Sequence, residues 1–296
     1  MRIGFIGLGN MGGPLAGRLV QRYPLHVFDL RRDAVQTFVD KGATAASGPA
    51  EIAGQCEAVL TCLPTSDNVR EVVFGADGLA GALKPGSLIA DMTTGDPAKT
   101  RAMAAELKAK GIDLIDAPVS GGPRGANEGT IAIMVGAPKP LFDRVRPIFE
   151  AISPNIFHAG EVGAAHAVKV GNNLLNLACR LCTFEVVSML VKNGVAPDRA
   201  VEILQKSSGR NYATEITLPD NILSGKMFQG FTLELMRKDS SLALELGRAS
   251  DAPMPFGNIA RETLQTAINE FGKDADMSAL ALMYEQMTGA RIRPND

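Results

Sequence analysis

Gly7, Gly9 and Gly12 stand in the run Gly7-Leu8-Gly9-Asn10-Met11-Gly12, and a lone acid, Asp29, follows 22 residues after Gly7. These residue types at this spacing can hold a dinucleotide. The first glycine allows a tight turn, the second lets a pyrophosphate approach the backbone, and the third lets helix and strand pack closely. The pyrophosphate then rests on free N–H groups at a helix N-terminus, where the dipole favours an anion. Asp29 stands where a ribose-binding acid belongs, which favours NAD; Arg31 and Arg32 beside it can accept a 2′-phosphate, which admits NADP. The competing reading is a glycine turn that binds nothing, and with 31 glycines in the chain the motif alone does not decide. Its context does. An apolar run from Ile3 to Ile6 leads into the turn, a helical pattern follows (Leu15, Ala16, Leu19, Val20), and a second apolar run, Leu25 to Phe28, ends at Asp29.

Three more segments carry polar groups in suggestive patterns. Asp116-Ala117-Pro118-Val119-Ser120-Gly121-Gly122-Pro123-Arg124 and the glycines up to Gly129-Thr130 leave the end of an apolar run, where open α/β sheets bind ligands. Ser120 and the N–H groups around Gly121 and Gly122 can hold a carboxylate; a glycine-rich connector fits the spacing equally well. Lys169 and Asn173, four apart, share one face of a helix, although pattern alone favours a solvated lysine. Lys238-Asp239 opens another helical pattern and by itself reads as a surface ion pair.

The elements that must position these groups change rhythm near residue 160. Before it, strands (3–6, 25–28, 58–62, 87–91, 112–116, 130–135 and a short one at 155–158) alternate with helices, which predicts a parallel, doubly wound Rossmann sheet. Helix 97–110 is punctuated by Asp96 as cap, Pro97 in the first turn and Gly111 as stop. Beyond Gly160 the pattern is helical: 163–193, broken only at Gly171, then 197–206, 233–250, 258–272 and 277–288. At about 1.5 Å per residue the first would span about 46 Å, enough to join the two halves. The expected fold is therefore α/β, an N-terminal Rossmann domain over 1–162 followed by an all-α domain over 163–296, with a cleft between domains as a usual ligand site.

Composition narrows the function. A chain of 296 residues with 46% hydrophobic and 21% charged residues is ordinary for a globular protein. A net charge of −2 without a basic block argues against nucleic acid, and the lack of an unbroken run of 18 apolar residues argues against a membrane span. The first strand begins at once, without a leader, so a cytoplasmic protein is expected. The four cysteines, including Cys179-Arg180-Leu181-Cys182, and the three histidines lack metal-ligand spacing; packing thiols and no metal are expected.

Together the segments resemble the β-hydroxyacid dehydrogenase family, across the whole chain. The resemblance rests on four signatures in the family's order: Gly4 to Gly12, Asp116 to Gly122 continuing through Gly125 to Thr130, Lys169 with Asn172-Asn173, and Lys238-Asp239. One departure is Gly163-Ala164-Ala165, where the family often has Gly-Ser-Gly before its catalytic helix. The resemblance implies that Lys169 is the catalytic acid/base, with Asn173 beside it, and that Ser120, Gly121 and Gly122 hold the substrate carboxylate. It further implies that Leu63, Pro64 and Thr94 contact the cofactor, together with Gly7, Leu8, Gly9, Asn10, Met11, Gly12 and Asp29, and that Lys238 closes over cofactor and substrate. Within the family, Ser207 to Ala213, Asp276-Met277-Ser278 and Glu285 to Gly289 look like the 2-(hydroxymethyl)glutarate dehydrogenase branch, whose substrate carries a second carboxylate. Arg210 or Arg124 is expected to pair with that distal anion.

The implied reaction passes a hydride between a nicotinamide cofactor, NAD with NADP admitted, and a 3-hydroxy acid bearing a primary alcohol, or the matching semialdehyde. As base, Lys169 would need a pKa well below the free value of about 10.4; as acid in the reverse direction it needs little tuning. The alternative is a non-catalytic NAD(P)-binding scaffold or sensor, which the presence of Lys169, Asn173 and Ser120 argues against. The expected partner is a small hydroxy acid, and the expected assembly a homodimer or homotetramer.

Overall fold

The computed structural model describes residues 1–294. It divides into two compact units, Met1–Lys169 and a second from Val170 onward. The first unit is built on strands β1 (Ile3–Ile6), β2 (Leu25–Phe28), β3 (Thr44–Ala45), β4 (Ala58–Thr61), β5 (Leu88–Asp91), β6 (Asp113–Asp116), β7 (Val119–Ser120), β8 (Ala132–Gly136) and β9 (Ile156–Gly160). Between them run α1 (Gly12–Leu19), α2 (Arg32–Val39), α3 (Pro49–Gln55), α4 (Ser66–Phe74), α5 (Leu79–Ala82), α6 (Pro97–Lys108), α7 (Gly122–Glu128) and α8 (Lys139–Glu150). Helix α9 (Ala164–Lys192) starts in the first unit and continues into the second, which holds α10 (Pro197–Gln205), a π-helix (Ala213–Leu223), α11 (Leu233–Ala249), α12 (Pro255–Phe271) and α13 (Ala279–Thr288).

The sheet runs in the order β3-β2-β1-β4-β5-β6-β8-β7, with β9 on β8. From β3 to β6 every pairing is parallel, and the order reverses direction between β1 and β4. That switch point lies where the glycine turn leaves β1, the place such sheets bind ligands. Successive residues feed opposite faces, as strand pleating requires. Ile3, Phe5, Ala58, Leu60 and Ile115 join one buried cluster, while Ile6, Val59, Ile89 and Leu114 join the other.

The expectation of an all-parallel sheet fails at its far edge. Strand β8 is antiparallel to both β6 and β7. Only the eleven residues Gly121 to Ile131 join β7 to β8, short of the dozen or more that a parallel crossover needs. The glycine-rich segment after Ser120 is not an open connector either, since it folds into α7.

Helix α9 runs unbroken through Gly171, where a side chain would point into open space. Its Leu177, Leu181, Phe184 and Val187 enter the core of the helical unit. By length and mean hydropathy (1.7 over an 18-residue window) α9 could cross a bilayer, which a search for unbroken apolar runs overlooks. Yet 44% of that window is buried inside the protein, and the helix carries buried His166, Lys169, Asn173 and Arg180, as a core helix does. Helix α12 begins at Pro255, earlier than expected, because proline suits a first turn where its missing N–H is not needed.

Candidate active site

The candidate cofactor groups of the first unit follow the carboxyl ends of neighbouring parallel strands: Asp29 after β2, Gly7 after β1, Leu63 and Pro64 after β4, Thr94 after β5. Gly7 and Gly12 are glycines for packing. A Cβ on Gly12 would collide with the Gly7 carbonyl oxygen, and one on Gly7 with the Cys62 carbonyl oxygen. Gly9 is different, because a Cβ there would meet nothing within 4 Å. Leu8 is buried, Met11 half-buried and Asn10 exposed, so the turn presents backbone and polar surface outward.

Asp29 is bound into this turn. Its Oδ2 accepts the Leu8 N–H at 2.7 Å, and its Oδ1 accepts the Arg31 N–H at 2.8 Å. The Arg31 guanidinium donates to Asp29 Oδ1 at 3.3 Å and to the Leu8 carbonyl at 3.2 Å. Burial alone would raise the Asp29 carboxyl, but the Arg31 and Leu8 N–H groups and the guanidinium bring it below its ordinary value. A groove of about 490 Å³ adjoins the turn, lined among others by Gly9, Asn10, Arg18, Arg31 and Lys41. The residues present fit a dinucleotide: an acid at the ribose position and a glycine whose missing side chain leaves room.

Deeper in the strand ends, Leu63 N–H donates to Thr93 Oγ1 at 3.0 Å, and Thr93 N–H to Asp91 Oδ1 at 3.0 Å. Thr94 and Leu63 are half-buried and Pro64 is exposed. Ser120 is half-buried at the end of β7, and Gly121 and Gly122 both take positive φ (134° and 67°), which a side chain would strain. Arg124 lies on α7 and pairs with Glu128 at 2.8 Å.

Lys169 is 8% exposed, so the solvated lysine that its pattern favours is not what folds. The start of its helix is clamped by Asp116, whose Oδ1 accepts the Gly163 N–H at 2.7 Å and whose Oδ2 accepts the His166 N–H at 2.8 Å. An acid at a helix N-terminus satisfies free N–H groups and complements the dipole. Gly136 makes room for it, since a Cβ there would strike the Asp116 carboxylate.

In the helical unit Asn173, one turn beyond Lys169 on α9, donates from Nδ2 to Asp239 Oδ2 at 2.6 Å and accepts from Asn172 at 3.1 Å. Asp239 is fully buried on α11, and Lys238 Nζ lies 3.1 Å from its Oδ1, a contact of charge without hydrogen-bond alignment. The Lys238-Asp239 pair is thus not a surface ion pair. Arg210 is exposed just after α10, its N–H on the Ser207 carbonyl at 3.2 Å. Arg180 escapes notice in the sequence because it falls inside a hydrophobic helical pattern. It is buried, donates to Asn176 Oδ1 (3.1 Å) and Thr217 Oγ1 (3.3 Å), and burial pulls its pKa down to about 10. Asp276 and Glu285 staple the chain: Asp276 accepts N–H groups of Gln229, Gly230, Phe231 and Ser278, and Glu285 those of Ile292 and Arg293. The cysteines are free and Cys182 is exposed, so not every thiol is a packing group. Among the described residues no group of three or more His, Cys, Asp or Glu could hold a metal ion.

Comparison with known proteins places this arrangement. Residues 2–160 match the model of the NAD-binding domain of 6-phosphogluconate dehydrogenase, and residues 163–284 that of the NAD-binding region of NADP-dependent 3-hydroxyisobutyrate dehydrogenase. The 2-(hydroxymethyl)glutarate dehydrogenase of Eubacterium barkeri is 39% identical over 295 residues, covering 99% of this chain and 97% of its own. The NAD-dependent L-serine dehydrogenase of Pseudomonas aeruginosa is 35% identical, with 97% and 99% covered. The structure of Mycobacterium tuberculosis 3-hydroxyisobutyrate dehydrogenase with L-serine superimposes with a TM-score of 0.87 at 28% identity, covering 95% and 98%. The chain belongs to the β-hydroxyacid dehydrogenase family, NAD(P)-dependent oxidoreductases acting on CH–OH groups.

Proposed function

We propose that this protein interconverts a 3-hydroxy acid bearing a primary alcohol and the matching semialdehyde, with Lys169 as general acid/base. The observation that carries the proposal is the burial of Lys169 on a helix whose first turn Asp116 clamps. Bound NAD supplies the hydride acceptor. Lys169 takes the hydroxyl proton as the carbonyl forms, or returns it in reduction, and its charge steadies a developing alkoxide. Asn173 presents a fixed amide, because Asp239 accepts from its nitrogen and Asn172 donates to its oxygen. Ser120 and the N–H groups of Gly121 and Gly122 hold the substrate carboxylate. Gly7, Leu8, Gly9, Asn10, Met11, Gly12, Asp29, Leu63, Pro64, Thr94 and Lys238 bind the cofactor.

NAD is preferred over NADP, because Asp29 repels a 2′-phosphate and the guanidinium of Arg31 is engaged with Asp29 and the Leu8 carbonyl. A lower KM for NADP than for NAD would reverse this reading. The identity to the Eubacterium barkeri enzyme makes a second carboxylate on the substrate the leading choice, with Arg210 as its partner. The protein acts in the cytoplasm as a homodimer or homotetramer. The support for assembly is a seam on α9 at a spacing of seven: Val168, Leu175 and Met189 are 49%, 65% and 53% exposed, with exposed Cys182 between them. A single monomeric species in sedimentation velocity would remove it.

The decisive experiment is NADH formation with 2-(hydroxymethyl)glutarate, 3-hydroxyisobutyrate and L-serine, on wild type and Lys169→Ala. The variant is expected to lose at least about a hundredfold in kcat while still binding NAD, the scale of a missing general base. Near-normal turnover would sink the assignment, and a wild type that binds NAD but turns over none of the panel would favour a scaffold.

A further inference from the structure

Asp91 ends β5, and His166 stands in the first turn of α9; both are fully buried within the N-terminal unit, and neither has a part in the reaction above. Their hydrogen bonds fix where the protons lie. The Thr100 hydroxyl gives its single proton to the Asp96 carbonyl at 2.9 Å, so towards His166 Nδ1, also at 2.9 Å, its oxygen accepts and Nδ1 carries a proton. Asp91 Oδ1 is filled by Thr61 Oγ1 and the Thr93 N–H, each at 3.0 Å. That leaves Asp91 Oδ2 and His166 Nε2 facing each other across 3.9 Å, each without another hydrogen-bond partner. Were the acid ionised and the imidazole neutral, two bare acceptors would meet in a dry interior, which is costly. One proton between them removes the conflict, and a small movement closes the gap to hydrogen-bond length.

The surroundings restrict that movement. A Cβ on Gly95 would come within 2.8 Å of the His166 ring and 2.9 Å of Ser66 Oγ, so the imidazole lies wedged against the chain after β5. Burial raises the Asp91 carboxyl above its ordinary value, while His166 pulls the other way. Ionisable groups near the pair include Cys62, whose thiol burial and Asp91 push up to about 12, and Asp116. Asp91 and Asp116 are register partners on β5 and β6. Two adjacent strand ends therefore face the same helical turn, Asp116 bonded to its backbone N–H groups and Asp91 opposite its imidazole. Lys169 follows His166 by three residues, on the next turn.

We propose that Asp91 and His166 are positioning residues, a buried acid–imidazole pair sharing one proton that, beside the Asp116 clamp, fixes the first turn of α9 and with it Lys169. The proposal rests on Lys169 being the acid/base group. It is tested with two kinds of variant. Asp91→Asn keeps the acceptor for Thr61 and Thr93 and offers its own N–H to Nε2, so it should hold the helix and keep kcat close to wild type. Asp91→Ala and His166→Phe strand a buried partner or remove the ring. Each should lower kcat about ten- to a hundredfold, the scale of a misplaced catalytic group, and His166→Phe should leave KM for NAD nearly unchanged, because Asp91 still holds Thr93 and through it Leu63. Asp91→Asn as impaired as Asp91→Ala, or folded His166→Phe turning over like wild type, overturns the proposal.

Nitrogen NMR on the histidine-labelled wild-type protein supplies a readout independent of turnover and of whether the harsher variants fold. At neutral pH His166 Nδ1 should carry a proton, and Nε2 should show the signal of a nitrogen hydrogen-bonded through a proton shared with Asp91. An unprotonated Nδ1, or an Nε2 with the signal of a bare imidazole nitrogen, overturns the pair. If Lys169→Ala keeps its turnover, the acid/base assignment falls while the NMR result still stands, so the two failures are distinguishable.

Discussion

In the N-terminal unit the candidate binding groups are mostly backbone; in the helical unit they are side chains held by other side chains. Gly7, Gly9 and Gly12 serve by what they lack, and each tolerates a different amount of added volume. Asn173 and Lys238 are candidates for what they carry, and Asp239 faces both; buried Arg180 is held in the same manner by Asn176 and Thr217. A backbone site fails sterically and abruptly, because a peptide plane has no rotamer to yield. A side-chain site fails by degrees, as one hydrogen bond after another is lost.

The largest effect should come from the turn. Gly12→Ala forces a Cβ onto the Gly7 carbonyl, and overpacking of this kind costs about 1–3 kcal/mol before any ligand is considered. Thermal denaturation should show a lowered Tm, and calorimetry no measurable NAD binding. Gly9→Ala separates the two effects. Its Cβ meets no protein atom within 4 Å, so Tm should hold, while NAD binding weakens about tenfold, roughly 1.4 kcal/mol, because the methyl occupies the ligand's approach. Unchanged NAD affinity in Gly9→Ala would show that the pyrophosphate does not approach there.

The same contrast decides what the sequence could reveal. The turn was legible because sterics tie its function to one residue type at fixed spacing between two apolar runs. Strands β1, β4, β5 and β6 were legible because burial on both faces makes them short, largely apolar runs, and β2 because buried Leu25 and Val27 alternate with half-buried His26 and Phe28. The antiparallel edge was hidden, since β7 is two residues long and follows a proline. So was the π-helix Ala213–Leu223, which carries Pro219 inside it and lacks the helical periodicity of its neighbours. In the helical unit the pattern singled out Asn173 and Lys238-Asp239, but their roles were implied only by resemblance. Nothing about a lysine four before an asparagine says that Asp239, 66 residues away from Asn173, will hold the amide. Asp276 and Glu285 illustrate the limit from the other side. They belong to the sequence pattern of the 2-(hydroxymethyl)glutarate branch, yet their carboxylates are spent on backbone N–H groups within the fold.

A smaller but sharper effect is expected at Asp239. Asp239→Ala leaves the buried Asn173 amide without its acceptor, at about 1–3 kcal/mol of stability, and frees it to turn. Steady-state NADH formation should show kcat about ten- to a hundredfold lower, as for a misplaced catalytic neighbour. Asp239→Asn retains an oxygen for the Asn173 N–H but removes the charge that faces Lys238, so it should recover most of the kcat while KM for NAD shifts. Wild-type kcat in Asp239→Ala would mean that the amide orientation does not matter, and the idea of a side-chain site held by side chains would lose its best example.

The smallest effect belongs to Arg210, the one candidate substrate residue of the helical unit that is exposed rather than buried. An exposed ion pair contributes only about 0–1 kcal/mol, so Arg210→Ala should lower kcat/KM for the dicarboxylic 2-(hydroxymethyl)glutarate by at most about fivefold relative to 3-hydroxyisobutyrate. The ratio of the two substrates is the quantity to measure, since a general loss of activity would cancel from it. An unchanged ratio would remove Arg210 from the substrate. A far larger change would mean that the arginine leaves solvent when the substrate binds, because only a desolvated, charge-assisted contact reaches that strength. In that case the helical unit would be shaping its site on binding, which the glycine turn, closed by its own backbone, has no freedom to do.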